Sequence, residues 1–258
     1  VNLERFISGI GWRSSIYSVL LENPEIIKLL ARLFSTSGYL SNFLIRHPEY
    51  LDVITLRDVR TEFASKKEML ESLQESMKEA TDEEDKLDAI RKFRHVETLK
   101  ICLRDLNGEV DPFYVGKYLS MVAEAVLEVG LQLAWDIVTK TQKGKHKKIN
   151  MHILGMGKLG GQEMSYNSDL DVIFIYEGAD HEFYSKLGQK VISVLSVLTG
   201  EGYAYKIDLA LRPSARSGAL VTSFDSFKEY PKNSSQIWLR QSLVSSRPTA
   251  VSNQLRKK

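Results

Sequence analysis

A single cysteine in 258 residues, Cys102, leaves this chain without a disulfide framework and points to a reducing compartment. Prolines are also scarce, six in all, as in an ordinary globular composition. No apolar run approaches the roughly 20 residues needed to cross a bilayer, and no signal peptide opens the sequence. An excess of one charge is missing too. The 35 Lys and Arg against 33 Asp and Glu give a formal +2, too little to argue for nucleic acid or a membrane surface as partner. What remains, 43% hydrophobic and 26% charged, fits a soluble cytoplasmic protein with one large domain or two modest ones. The chain opens on Val1 and not on methionine, and it reads as a piece of something longer.

Residues 1–142 are helical in pattern throughout. Asn23 is the expected N-cap and Pro24 the first helical residue of a run in which Ile26, Ile27, Leu30, Leu33 and Phe34 recur at helical spacing. Gly38 breaks that run, and a second short helix reaches His47 and Pro48. Residues 66–80 spell a polar, charged helix with a mostly solvated face. Between Asp85 and Leu106, a seam is formed by Leu87, Ile90, Phe93, Leu99, Leu103 and Leu106. From Pro112 to Thr139, Val115, Leu119, Val122, Val126, Val129 and Leu133 recur at intervals of four and three, an amphipathic signature. Helices this short and interrupted predict a bundle and not a coiled coil. The five histidines share no metal-ligand spacing, and Cys102 is expected to be a small buried hydrophobe.

KTQKGKHKKIN, from Lys140 to Asn150, ends this pattern with six basic side chains and a glycine. It reads as a solvated linker; a basic patch meeting phosphate is the sharper alternative. The periodicity then changes. MHILGM predicts a short strand, LDVIFIY a second and GYAYKIDLAL a third. Between the second and third, Phe183, Leu187, Val191, Leu195 and Leu198 mark one face of a helix. A last helix is expected after Ser223, with Asp225 in its first turn and Pro231 at its end. The class is therefore α+β: a helical bundle over 1–142, then a small α/β domain with a mixed sheet over 143–258.

The chemistry is concentrated in GMGKLGGQEMSYNSDLDVIFIY, Gly155 to Tyr176. Asp169 and Asp171, one residue apart on a strand, point to the same face, while Leu170, Val172 and Phe174 point into a core. Like charges roughly 6–7 Å apart at their backbones repel unless a cation sits between them, and Mg²⁺ is the natural candidate. A strand that simply begins with exposed acids is the plain alternative. Asp208, between Ile207 and Leu209, sits where the sequence context predicts burial, and a carboxylate there is rarely present for packing. If its strand lies beside that of Asp169, three carboxylates converge as two-metal nucleotidyl transfer requires. Gly155, Gly157, Gly160 and Gly161 let a backbone approach a ligand, amides at the start of a short helix cradle phosphate, and Lys158 adds charge for a triphosphate. A strand-to-helix turn without a ligand remains possible, since neither G-x-x-x-x-G-K-[ST] nor G-x-G-x-x-G is present. Beside three placed aspartates, the phosphate reading is the stronger.

A glycine turn, a spacer, Asp-x-Asp on one strand and a third Asp on a neighbour resemble the polymerase-β-type nucleotidyltransferase superfamily. More specifically, GMGKLGGQEMSYNSDLDVIF together with DLALRPSARSGALVTSFDSFKEY resembles the glutamine synthetase adenylyltransferase family. Its members carry two related catalytic halves, one adding AMP to a tyrosine of glutamine synthetase and one removing it by phosphorolysis. GWRSSIYSVLLENPEIIKLLARLFSTSGYLSNFLIRHPEYLD is similar to the helical region before the carboxy-terminal, adenylylating half. SYNSDLD, LRPS and LVTS also resemble that half, where the removing half has Asn-Phe-x-Ser-Asp-Ile-Asp and LRPF. Two places depart: Leu239 follows Trp238 where the family has an acid, and SSRP (245–248) replaces an Arg-Ala-Arg run.

The resemblance implies a polymerase-β-like catalytic domain that transfers AMP from ATP to a tyrosine hydroxyl of glutamine synthetase and so regulates nitrogen assimilation. It implies that Asp169, Asp171 and Asp208 bind two Mg²⁺ ions and that Asp208 helps deprotonate the tyrosine. Gly157, Lys158, Ser168 and neighbouring amides, with Gly160 and Gly161 among them, hold the β- and γ-phosphates. Arg212 either neutralises phosphate or braces the Asp208 strand; Trp238 and Gln241 hold the last helix. The implied partners are glutamine synthetase and, for the full-length enzyme, a PII-type signalling protein, with no nucleic acid and no membrane. Two other readings stand beside this one: phosphorolytic removal of AMP, and a regulatory module that binds nucleotide or effector without turnover.

Overall fold

A computed structural model describes residues 1–11, 14–51, 63–141, 147–209, 218–233 and 242–250. The chain forms two compact units, one from Val1–Ala64 and Phe93–Val115, the other from Ser65–Lys92 and Gly116–Lys258. These units follow packing and not chain order. A helical pattern reports secondary structure and not which helices pack together, and two long helices, α6 (Glu83–Leu106) and α7 (Pro112–Thr141), each contribute to both units.

In the first unit, α1 (Asn2–Ile10), α2 (Ser14–Glu22), α3 (Pro24–Thr36) and α4 (Gly38–Arg46) precede a 3₁₀ turn at Pro48–Tyr50. Asn23 stands at the N-cap of α3 and Pro24 opens it, but the Asn23 amide donates backward to the Val19 carbonyl (3.0 Å) and makes no cap bond. Gly38 does not break the run. Ser37 separates the helices: its N–H donates to the Leu33 carbonyl, and its Oγ accepts from the Leu40 N–H (3.2 Å). Such a side-chain cap satisfies a donor that a helix start leaves orphaned. Ile26, Leu29, Leu30 and Leu33 are buried with Phe6, Leu40 and Leu44, whereas Ile27 faces outward. Further along the chain Leu99, Leu103 and Cys102 are buried as the seam predicts.

In the second unit, α5 (Lys66–Glu79) starts with a reciprocal capping box between Ser65 and Glu68, and it buries Met69 and Leu73. The amphipathic expectation for α7 holds along its seam, where Val115, Leu119, Val122, Val126, Val129 and Leu133 are buried while Phe113, Lys117, Gln132 and Asp136 are exposed, but the middle of the helix is more enclosed than the pattern predicts. Val122, Ala123, Ala125, Val126 and Leu127 are all fully buried, so this part of the helix is enclosed on every side. Gly130 admits a neighbouring helix, α9 (His181–Ser196): a Cβ there would lie 3.0 Å from Leu195 Cδ2. Trp135 meets Phe183 of the same helix edge-on at 5.5 Å.

Among the described residues the sheet has five strands: β1 (Met151–Gly155), β2 (Leu170–Tyr176), β3 (Ile207–Asp208), β4 (Val221–Ser223) and β5 (Arg247–Ala250). β2 pairs antiparallel with β1 and parallel with both β3 and β4; β5 adds antiparallel to β1. The sheet is therefore mixed, as expected. β2 is buried along its length except at Asp171. On the face that Asp171 shares, Ile173, Ile175 and Met156 cluster under Leu154, Leu243 and Phe227 of α10 (Phe224–Asn233).

Three boundaries differ from expectation. The third strand begins only at Ile207 because the amides of Ala204 and Tyr205 donate to the Leu195 carbonyl (2.9 and 3.0 Å) and so lie outside the sheet ladder; the last two residues of the expected strand, Ala210 and Leu211, lie outside the described residues. α9 stops at Ser196, which leaves Leu198 outside the helix and exposed. α10 runs to Asn233, past Pro231, whose missing N–H removes one bond without ending the last turn.

The connection from α9 to β3 closes on a buried side chain. Arg91 donates Nε to Gly202 O (2.8 Å), Nη1 to Leu87 O (2.6 Å) and Nη2 to Val197 O (2.5 Å) and Val194 O (3.3 Å). Its guanidinium thus serves carbonyls that the end of α9 would leave orphaned. Among the described residues, no helix is long and apolar enough to cross a membrane.

Candidate active site

The end of the sheet where β1 finishes and β2 and β3 begin gathers the singled-out residues. β2 and β3 run parallel with Leu170 opposite Ile207 and Asp171 opposite Asp208. Residues in register on neighbouring strands share a face, so the two carboxylates project together. Asp169 lies one residue before β2 and not on it. Burial, then Asp208, then Asp169 push the Asp171 carboxyl above its ordinary range, and Lys158 only partly offsets them. Asp208 is exposed, contrary to the expectation of burial. β3 is an edge strand of two residues, and a carboxylate there reaches water.

The glycine turn belongs to this same place. β1 ends at Gly155 and a single helical turn follows, α8 (Gly157–Gly160). The Met156 N–H donates to the Asp171 carbonyl (2.8 Å), which ties the start of the turn to β2. Gly157 has φ +49°, and a Cβ on it would lie 2.6 Å from Asp171 Oδ2. Only glycine takes that conformation without strain and leaves the carboxylate its room.

The other glycines serve the opposite side. A Cβ on Gly155 would meet Thr249 Cγ2 at 2.5 Å, and one on Gly160 would meet the Ser245 carbonyl at 2.1 Å, so both make room for β5 and the segment leading to it. The Gly160 and Gly161 amides are bonded within the turn, to Met156 O (2.9 Å) and Gly157 O (3.0 Å). Ser168 shapes the loop ahead of Asp169. Its Oγ accepts from the Ser165 N–H (3.0 Å) and bonds the Ser165 hydroxyl (2.8 Å). Lys158 is exposed beside this arrangement. Arg212, Trp238, Leu239 and Gln241 lie outside the described residues. Among the described residues, no group of three His, Cys, Asp or Glu side chains is drawn together closely enough to hold a metal ion.

A second set of charges was missed by sequence reasoning. Glu124, buried within α7, contacts Arg247 Nη2 (2.5 Å) through one oxygen and Lys66 Nζ (2.8 Å) through the other. Lys66 also donates to Thr249 O (3.3 Å), and Arg247 donates Nη2 to Leu159 O (3.1 Å) and Nε to Gly160 O (3.3 Å). The available signal was a lone acid in the apolar run MVAEAVLEVG, which marks a buried charge in need of a partner.

Comparison with known proteins identifies the family. Residues 27–258 match the sequence profile of the family described as glutamate-ammonia ligase adenylyltransferase. The bifunctional glutamine synthetase adenylyltransferase/adenylyl-removing enzyme of Mannheimia succiniciproducens is 33% identical over 271 residues, covering 98% of this chain and 28% of that enzyme. The enzyme of the same name from Chromobacterium violaceum is 35% identical over 249 residues, covering 93% and 27%. Its counterpart in Thioalkalivibrio sulfidiphilus is 32% identical over 272 residues, covering 96% and 28%. The chain belongs to the glutamate-ammonia ligase adenylyltransferase family, and it spans 28% or less of the length of these curated relatives.

Proposed function

We propose that this chain carries an adenylylating site, which transfers AMP from ATP to a tyrosine hydroxyl of glutamine synthetase with the help of Mg²⁺. The observation that carries the reading is the register of Asp171 with Asp208, at the point where Gly157 brings the turn against Asp171. The donors suit Mg²⁺ in kind, since a hard cation takes a few carboxylates and completes its shell with water and phosphate oxygens. Burial first, then repulsion by Asp208 and Asp169, raises the Asp171 carboxyl, and the repulsive part is what a cation would relieve. Asp169, Asp171 and Asp208 would hold two ions. Bound there, the metal supplies charge neutralisation at the phosphates and a lowered pKa for the incoming hydroxyl.

The chain's own residues do the rest. Gly157 lets the backbone approach the phosphates, Lys158 offsets their charge, Gly160 and Gly161 keep the turn compact, and Ser168 holds the loop that delivers Asp169. Arg212 neutralises phosphate or braces the β3 strand. The tyrosine oxygen forms a bond to the α-phosphorus as the bond to the bridging oxygen breaks, and pyrophosphate leaves with that oxygen. The hydroxyl proton passes to Asp208; an unperturbed tyrosine, with a pKa of about 10, would otherwise stay protonated at neutral pH. Residues 143–258 would form the catalytic domain and 1–142 a helical bundle region, in a cytoplasmic enzyme whose longer form answers to a PII-type signalling protein. Neither nucleic acid nor membrane enters the reading.

The test is to supply glutamine synthetase, Mg²⁺ and α-labelled ATP. Label should appear on glutamine synthetase, and pre-adenylylated glutamine synthetase should keep its AMP when orthophosphate is given. The opposite pattern would assign the chain to the removing activity. Nucleotide binding with neither reaction would make it a regulatory module.

A further inference from the structure

We propose that Arg247 is a positioning residue that anchors the glycine turn from behind, and that Glu124 and Lys66 hold Arg247 in place. The consequence for nucleotide binding rests on the nucleotidyltransferase reading; the anchoring itself does not. α8 is one turn of four residues, and a helix that short does not sustain itself, because nucleation fixes several residues for a single hydrogen bond. Its last carbonyls are the kind a helix end leaves orphaned. Gly160 O receives Nε of Arg247 at 3.3 Å, and Leu159 O, which also accepts from the Gln162 N–H (3.3 Å), receives Nη2 at 3.1 Å.

The same Nη2 that reaches Leu159 O also lies 2.5 Å from one oxygen of the buried Glu124 carboxylate, as an ion pair. Glu124 is in turn held by Lys66 at 2.8 Å, and Lys66 reaches the backbone of β5 at Thr249 O (3.3 Å). The closeness of Gly160 to the Ser245 carbonyl adds a steric stop on the same side. On the front of the turn stand Gly157, against Asp171, and the exposed Lys158. A guanidinium can serve a carboxylate and two carbonyls together because its donors form a rigid fork, which an ammonium lacks. Loosening this anchor would let the turn drift relative to Asp171, and small misplacements of binding groups are costly.

The experiment compares the 258-residue wild-type chain with Arg247→Lys and with Glu124→Gln, each checked for folding by its thermal melt. In the absence of any ligand, amide hydrogen exchange should rise about tenfold or more over residues 160–163 in Arg247→Lys, and less in Glu124→Gln, while β1 and β2 stay protected. Unchanged exchange in the turn, or an increase spread evenly over the whole sheet, would overturn the anchoring. Calorimetry with Mg²⁺ and a non-hydrolysable ATP analogue gives the second readout. Arg247→Lys and Lys158→Met should each weaken binding, and the double variant should bind little worse than the weaker single one, because both act through one turn. Fully additive losses, or a loss in Lys158→Met with none in Arg247→Lys, would count against the positioning role. If the exchange rises but Lys158→Met binds as wild type, the anchor stands and the nucleotide reading of the turn falls.

Discussion

Two clusters of charge in the same compact unit are built on opposite terms. Around Glu124, the buried carboxylate meets Lys66 and Arg247, and Lys66 lies 3.8 Å from Glu128 as well. Around Asp171, burial and then the carboxylates of Asp208 and Asp169 raise its carboxyl, and Lys158 acts against them. The first cluster is balanced by side chains of the chain itself and ties α5, α7 and β5 together. The second sets two further carboxylates beside the half-buried Asp171. A cluster of paired opposite charges builds a fold, whereas like charges set together by backbone register suit a cation arriving from outside. Arg247 belongs to the first cluster and touches the turn that faces the second.

The largest effect should come from breaking the second cluster at Asp208. Asp208→Ala should cut adenylyl transfer by three or more orders of magnitude, about 4 kcal/mol or more in the barrier. Affinity for Mg·ATP should stay within roughly tenfold, about 1.4 kcal/mol, because the interaction is made mostly in the transition state. A transfer assay paired with calorimetric titration measures both, and a variant that still transfers at a tenth of the normal rate would remove Asp208 from the reaction.

Breaking the first cluster should read out as stability. Glu124→Ala leaves Lys66 and Arg247 facing a buried cavity without their carboxylate, at a cost of about 3 kcal/mol in urea unfolding. A loss no larger than that of an exposed ion pair would show that the cluster is not what joins these elements. Gly157→Ala sits at the border of the two. The left-handed backbone and the 2.6 Å approach to Asp171 Oδ2 predict a loss of about 1–2 kcal/mol, with weakened nucleotide binding beyond it. Wild-type affinity in this variant would mean that the Asp171 side of the turn is not used.

The smallest effect sharpens the contrast most. Asp171→Asn should leave the thermal midpoint without metal unchanged or slightly raised at pH 7, and should abolish any Mg²⁺-dependent increase in it. The sign follows from linkage. A carboxyl whose folded pKa lies above its ordinary 3.8 contributes stability below that value and loses it as pH rises through the folded pKa. The advantage of the variant over wild type should therefore vanish in acid and grow toward neutrality. A marked destabilisation at pH 7 would give Asp171 a structural role.

Much of this was legible locally. β2 coincides with LDVIFIY because seven apolar or half-buried residues run without a turn signal, and α9 follows the seam of Phe183, Leu187, Val191 and Leu195. Asp169, Asp171 and the glycines could be singled out because acids and glycines together at a strand boundary need a reason. The rest depended on contacts between distant segments. Burial all around the middle of α7 comes from elements far away in sequence, and the shortness of β3 at its start follows from amides that turn to the end of α9. The exposure of Asp208 follows from an edge position that no flanking residue reveals. The division of labour among the glycines was invisible for the same reason: Gly160 answers to Ser245, and nothing in the spacing says so.

Arg91 carries a consequence for the order in which the molecule can be made. Its acceptor at Gly202 lies 111 residues further along the chain, and those at Val197 and Val194 lie 106 and 103 residues on. At ribosomal speeds of about 5–20 residues per second, the arginine waits on the order of ten seconds before its partners emerge. Throughout that interval its guanidinium has only Leu87 O on its own helix and water to bond, and α6 cannot reach its final burial at this point. Completion of the sheet unit is therefore gated by synthesis and not by local folding speed: the last piece of α9 and the turn after it lock a helix made long before.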